Sequence, residues 1–184
     1  MLGANKNDDA EREFKQLLAE KLPLPTSLAW ANYGLGEIAL RRGQGAEASR
    51  LFTDAIRADA EYASTLAARA ERIRAETSPT VDQTVVTFVN QLDGVIRSGR
   101  KSEIGPMLVP GELGRFVQGI VGTQPEAWQT RVLRTEQLSG DRIAADVMLN
   151  SKQLGVEHSG TAVFVLVRTG GGLKLAAIEL FEVR

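Results

Sequence analysis

The stretch Ala29-Trp30-Ala31-Asn32-Tyr33-Gly34-Leu35-Gly36-Glu37-Ile38-Ala39-Leu40-Arg41-Arg42-Gly43-Gln44-Gly45-Ala46-Glu47-Ala48-Ser49-Arg50-Leu51-Phe52-Thr53-Asp54-Ala55-Ile56-Arg57-Ala58-Asp59-Ala60-Glu61-Tyr62-Ala63 decides how the first part of the chain folds. Trp30, Leu35, Ile38 and Ala39 recur at helical spacing, which predicts a helix from about Ser27 to Arg41. Gly43-Gln44-Gly45 then breaks the pattern, because glycine adopts the left-handed backbone that ends helices. From Ala46 a second apolar set, Ala48, Leu51, Phe52, Ala55 and Ile56, is spaced by three and four. Small residues at Gly36, Ala48 and Ala55 let two helix backbones approach closely, so the pair reads as an antiparallel hairpin.

Working outward, Ala10, Phe14, Leu17 and Leu18 predict a helix over 8–22 with acids near its start. Pro23 and Pro25 end it, and Thr26 or Ser27 is placed to cap the next helix. Beyond the hairpin, Tyr62, Ala63, Leu66, Ala67, Ala70 and Ile73 form another stripe, read as a closing helix over 61–76.

The hairpin resembles a tetratricopeptide repeat. The resemblance is carried by Leu35-Gly36-Glu37, Gly43, Ala48, Phe52, Ala55, Asp59 and Tyr62 at that family's spacing within one 34-residue unit. It departs where Ala60 follows Asp59 in place of proline, and where Ala39 replaces an aromatic. The resemblance implies a protein- or peptide-binding groove on Trp30, Tyr33, Glu37, Leu40 and Arg41. Two readings of Trp30 and Tyr33 stay open: exposed anchors, or side chains packed inside the protein. Tyr33 and Glu37 do not match the basic and asparagine residues with which some members clamp a peptide carboxylate.

Thr77-Ser78-Pro79-Thr80 marks a boundary between a module over 1–77 and a domain over 78–184. Thr80-Val81-Asp82-Gln83 fits a capping box opening a helix whose inner face is Val81, Val85, Phe88, Leu92, Val95 and Ile96, closed by Gly99. Shorter helical pieces follow over 101–108 and 111–121, the second carrying Leu113, Phe116, Val117 and Ile120. From Trp128 the period changes to two, predicting strands over 128–138, 142–150, 156–168 and 173–183 in hairpin order. The third, Thr161 to Val167, is apolar on both faces and reads as a central strand covered on both sides.

One long helix, short helical pieces and a bent antiparallel sheet resemble the nuclear-transport-factor-2-like (SnoaL-like) superfamily over about residues 79–184. The expected fold class is therefore α+β: a helical-hairpin repeat module, then a cone-like domain with helices packed on a curved four-stranded antiparallel sheet. That superfamily holds enzymes, ligand binders and dimerising scaffolds, so it does not fix function.

Chemistry is mostly excluded. The chain has 184 residues, 43% apolar and 24% charged, with 22 basic against 23 acidic residues and no cysteine. A net charge of −1 offers no broad attraction to nucleic acid or an anionic membrane. One histidine and no cysteine do not build a transition-metal set, and neither glycine turn sits between strand and helix as a phosphate cradle must. Arg97, Arg100, Lys101 and Arg115 form a loose basic cluster read as solvated, and two Trp and two Tyr give no stacking platform. His158, the single histidine, and Glu179 are the candidate cavity residues, with a surface histidine and an edge-strand charge as the plainer readings. Asp93 and Asp146 are further acids, and strand alternation directs Asp146 to solvent.

The expectation is a non-enzymatic assembly protein whose partner is a protein, a peptide or itself, as a homodimer through the sheet. No cofactor, nucleic acid or membrane enters it. The cytoplasm is favoured, or the periplasm if a signal precedes residue 1. The alternative is a small-molecule binder or lyase/isomerase-like enzyme using the cone cavity, with His158 or Glu179 as base.

Overall fold

The structure, a computed structural model, describes residues 2–59, 63–111, 119–138 and 140–183, and of residues 2–5, 63, 64, 66 and 180–183 it describes the backbone alone. The chain divides into two compact units, Met1–Ser78 and Pro79–Arg184.

Unit 1 consists of α1 (Leu2–Leu18), α2 (Pro25–Arg41), α3 (Gly45–Ala58) and α4 (Ala63–Ala75). The expected first helix over 8–22 begins earlier and stops at Leu18, leaving residues 19–24 as the connection before Pro25. Neither Thr26 nor Ser27 caps α2. Pro25 occupies the first turn behind an extended Leu24, because its fixed φ suits a helix start and it lacks the amide proton that a cap would satisfy. The Thr26 hydroxyl instead donates to the Asp59 carboxylate at 2.8 Å, and Thr65 Oγ1 donates to the Asp59 carbonyl, so one extended residue ties α2, α3 and α4.

α2 ends as the glycine predicts. Gly43 has φ +74°, its N–H donates to the Leu40 carbonyl, and the Gln44 N–H donates to the Ala39 carbonyl at 2.9 Å, a Schellman closure. The turn sets α3 against α2 with Ala48, Leu51, Phe52, Ala55 and Ile56 all buried. Gly36 is the contact point: a Cβ there would lie 2.6 Å from Phe52 Cε1. Phe14 of α1 lies against Gly34 and joins the same core. Arg42 anchors α1 through Glu11 at 2.7 Å and Asp8 at 2.9 Å.

The stripe expected for the closing helix is corrected. Among the side chains described, its buried positions are Thr65, Ala68 and Arg72, while Ala67 and Ile73 are half-buried and Ala70 is exposed. Two of the three are polar, so a hydrophobicity pattern passes over them. Arg72 donates to Thr53 Oγ1 at 3.3 Å. Tyr62, and the side chains of Ala63 and Leu66, also in that stripe, lie outside the described residues.

Unit 2 opens with α5 (Gln83–Ser98), then α6 (Lys101–Ile104) and a 3-10 turn, Gly105–Met107. The cap is Asp82 in place of Thr80: its Oδ1 accepts from the Thr84 N–H at 2.8 Å and the Thr84 hydroxyl at 2.7 Å. Thr80 is engaged elsewhere, its carbonyl accepting from the Thr135 N–H at 2.7 Å. Gly99, at φ +69°, closes the helix. Val85, Phe88, Leu92 and Ile96 are buried as expected, Val89 joins them, and Val81 stands outside the helix. Leu113, Phe116 and Val117 lie outside the described residues, whereas residues 119–123 are helical, with Val121 buried.

The sheet consists of β1 (Ala127–Gln137), β2 (Arg142–Gln153), β3 (Val156–Thr169) and β4 (Gly172–Val183), antiparallel throughout in the order β1-β2-β3-β4. Ile143, Ala145, Val147 and Leu149 of β2, with Ala162, Phe164 and Leu166 of β3, meet the apolar face of α5 in one core. All five residues Ala162–Leu166 are buried, which is the two-sided burial expected of the third strand. Asp146, directed to solvent by alternation, is buried at 5% exposure beside Ala144, because the second face of the sheet is buried there as well. Both edges of the sheet carry added segments: Thr80 and Asp82 bond Thr135 of β1, and the Val109 N–H donates to the Leu175 carbonyl of β4.

Candidate functional site

The groove residues of the sequence reading all lie on α2. Trp30 is 45% exposed, whereas Leu35, Ile38 and Ala39, which share its stripe and were expected with it on the buried side, are buried. Its neighbours Ala29 and Ala31 are the buried residues of that turn. Trp30 is nevertheless fixed: its ring meets Tyr33 edge-on, with centroids 5.6 Å apart at 87°. Tyr33 in turn packs against Phe52 at 5.8 Å, so the exposed indole is connected through one ring to the core of unit 1. Edge-to-face aromatic pairs add about 0.5–1.5 kcal/mol beyond burial, enough to favour one indole orientation.

One turn further along, Glu37 and Arg41 pair at 3.4 Å, and Leu40 packs half-buried against the core. Burial is the main influence raising the Tyr33 phenol above its ordinary range, with Glu37 and Glu71 adding to it and Arg41 and Arg74 opposing. Tyr33 is therefore a neutral hydroxyl at physiological pH. Arg74 pairs with Glu71 at 2.6 Å, so the face offers aromatic surface between charge-compensated pairs. Leu22 and Leu24, just before α2, are 93% and 70% exposed. With Trp30 they place three large apolar side chains in contact with water within nine residues.

In unit 2, His158 and Glu179 are both exposed. His158 pairs with Ser151 and Glu179 with Val163, which puts them about 16 Å apart along β3 and on opposite sheet faces. They do not act on one substrate. His158 lines an open polar groove of about 430 Å³ with Gln129, Asn150 and Ser159.

Asp93, like Asp146, is a buried acid, at 3% exposure. Its carboxylate accepts from the Thr130 N–H at 2.6 Å and the Thr130 hydroxyl at 2.7 Å, joining α5 to β1. Desolvation raises its pKa above the ordinary aspartate value against the opposing pull of Thr130 and Arg97. The Trp128 indole N–H is close enough to favour the charge but outside hydrogen-bond geometry. With both oxygens engaged by the backbone and side chain of one threonine, Asp93 serves as a helix-to-strand tie. The alternation that misplaced Asp146 gave no signal for this pairing, which spans 37 residues.

Of the basic cluster, Arg97 donates to the Trp128 carbonyl at 2.9 Å and Arg100 pairs with Glu103 at 2.8 Å, while Arg115 lies outside the described residues. Among the described residues, no three of His, Cys, Asp and Glu gather as a metal set, and no helix is long and apolar enough to cross a membrane.

No protein-family model matches the chain, and no curated protein matches it. A solved structure similar to it is a variant of the designed protein titled Rd1NTF2_05, 12% identical with a TM-score of 0.46, covering 54% of this chain and 96% of that chain.

Proposed function

We propose that this is an interaction protein: unit 1 docks a segment of another protein on the α2 face formed by Trp30, Tyr33, Glu37, Leu40 and Arg41, and unit 2 is an α+β scaffold of the NTF2-like kind. The observation that carries the reading is Trp30, an indole 45% exposed yet held edge-on by Tyr33. An exposed indole costs solvation in the free protein, and a fixed one loses little entropy when covered, which is the behaviour of an interface anchor. The paired Glu37 and Arg41 then supply a polar rim without net charge.

Three features support the tetratricopeptide resemblance. Phe52 closes over Gly36, Ala48 and Ala55 are fully buried, and α4 lies against both α2 and α3 as the first helix of a following repeat would. In such an arrangement the exposed side of α2 faces the ligand groove. For unit 2, one long helix over an antiparallel sheet in hairpin order supports the NTF2-like reading.

The test is selection of random 12-residue peptides displayed on phage against the whole chain and against Trp30→Ala. Enrichment of peptide families on the native chain that fail on Trp30→Ala is expected. Families enriched equally on both would refute the docking face.

A further inference from the structure

We infer a second binding site, in unit 2 and independent of the α2 face: a groove of about 510 Å³ that takes an uncharged, mainly apolar small molecule bearing a carbonyl or hydroxyl group. The volume is within the range of about 300–1,000 Å³ typical of small-molecule sites.

The floor is apolar, formed by Phe88 of α5, Met107 of the 3-10 turn and Leu173 of β4. These residues belong to or pack against the core, which fills the space between α5 and the sheet, so the groove opens beside that core. The wall is Thr84, Thr87 and Gln91, at i, i+3 and i+7 of α5. Between Asp82 and Asp93 that helix has no charged residue. The five positions exposed in that stretch, Gln83, Thr84, Thr87, Asn90 and Gln91, are all neutral, in a chain that is 24% charged; the exposed charge of α5, Arg97, lies in its last turn. An exposed helix shoulder ordinarily carries lysine and glutamate, so solvent alone does not account for this one.

Arg168 stands at the rim with its guanidinium already paired to Asp82 at 2.6 Å. It presents oriented N–H donors whose charge is compensated, a match for a neutral carbonyl or hydroxyl acceptor more than for an anion. The fourth observation is the turn Gly170-Gly171-Gly172. Only Gly172 has positive φ, +111°, the conformation that demands glycine. Gly171 also lines the groove, yet a Cβ there would meet nothing nearer than the Thr169 hydroxyl at 4.0 Å. A side chain at 171 would therefore project into the groove without disturbing the turn, and the glycine leaves that space open.

The experiment is a fluorescence titration of the full chain with Prodan, a neutral naphthalene ketone whose emission shifts to the blue in an apolar site. Saturable, blue-shifted binding is expected, weakened at least about tenfold by Gly171→Leu and by Thr87→Trp, a loss of about 1.4 kcal/mol. Both substitutions fill the groove from exposed positions, and each should leave the urea midpoint unchanged, so either variant decides the matter if the other fails to fold. Absence of saturable binding, affinity in both variants equal to that of the native chain, or tighter binding of anionic anilinonaphthalene sulfonate than of Prodan would overturn the assignment.

Discussion

Replacing Gly36 with alanine tests the packing on which unit 1 depends. In an exposed helix the exchange would gain about 1 kcal/mol from backbone entropy alone. At position 36 the new Cβ would lie 2.6, 2.8 and 3.0 Å from three atoms of the Phe52 ring. Phe52 is 0% exposed, so its ring has no solvent to swing into, and α2 and α3 must separate by several tenths of an ångström. Overpacking of this kind costs about 1–3 kcal/mol, which leaves a net loss of up to about 2 kcal/mol after the propensity gain. Gly94 provides the control, since nothing lies within 4 Å of its Cβ position midway along α5. Gly94→Ala should therefore stabilise unit 2 by about 0.5–1 kcal/mol. The assay is urea unfolding followed by tryptophan fluorescence, because Trp30 and Trp128, the two tryptophans of the chain, report on different units. Each substitution is read against a parent in which the other unit's tryptophan is phenylalanine. A Gly36→Ala that stabilises as much as Gly94→Ala does would show that the helices do not approach as described.

Val163→Asp places a carboxylate at a buried position directly opposite Asp146, and should cost at least about 3 kcal/mol, measured by the thermal melt of the far-UV circular dichroism. Val163→Thr should cost much less. Leu154 is 91% exposed with φ +50° at the β2–β3 turn, so Leu154→Gly should raise the urea midpoint of unit 2, by about 1 kcal/mol in stability, when Trp128 is followed. Asp93 titrates with a raised folded pKa, so the folded state binds its proton more readily than the unfolded chain. Its ionisation therefore costs stability above the folded pKa, and its contribution rises as pH falls from there to the ordinary aspartate value. Asp93→Asn removes that component, so the native chain should gain on the variant as pH is lowered through this window in a series of urea titrations.

The parts that sequence alone made legible are those in which one periodicity runs uninterrupted. α3 shows its whole buried face because Ala48, Leu51, Phe52, Ala55 and Ile56 are apolar without exception. The strands are legible because the period of two begins at Trp128, and glycine marks the turns. α4 fails because Thr65 and Arg72 are buried through hydrogen bonds to Asp59 and Thr53, contacts that no hydrophobicity pattern records. The cap of α5 was misplaced for a related reason. Thr80 and Asp82 are both competent caps, and the choice is made by Thr135, 55 residues away, which engages the Thr80 carbonyl. Asp93 and Asp146 show the same limit: burial of a carboxylate depends on its partners across the fold, and alternation reports only which side it is on. For the proposed docking face, the tetratricopeptide resemblance implied five residues that share one helix, but only the structure separates the exposed Trp30 from Tyr33 beneath it.

The most direct test of the docking role is the affinity of a selected peptide, measured by fluorescence anisotropy against the native chain and Trp30→Ala at matched concentrations. Loss of an interface anchor of this type costs about 2 kcal/mol or more, a dissociation constant at least about 30-fold weaker. Such a loss, with the helical far-UV circular dichroism of the native chain retained, is the predicted result. An affinity the same in both proteins would contradict it.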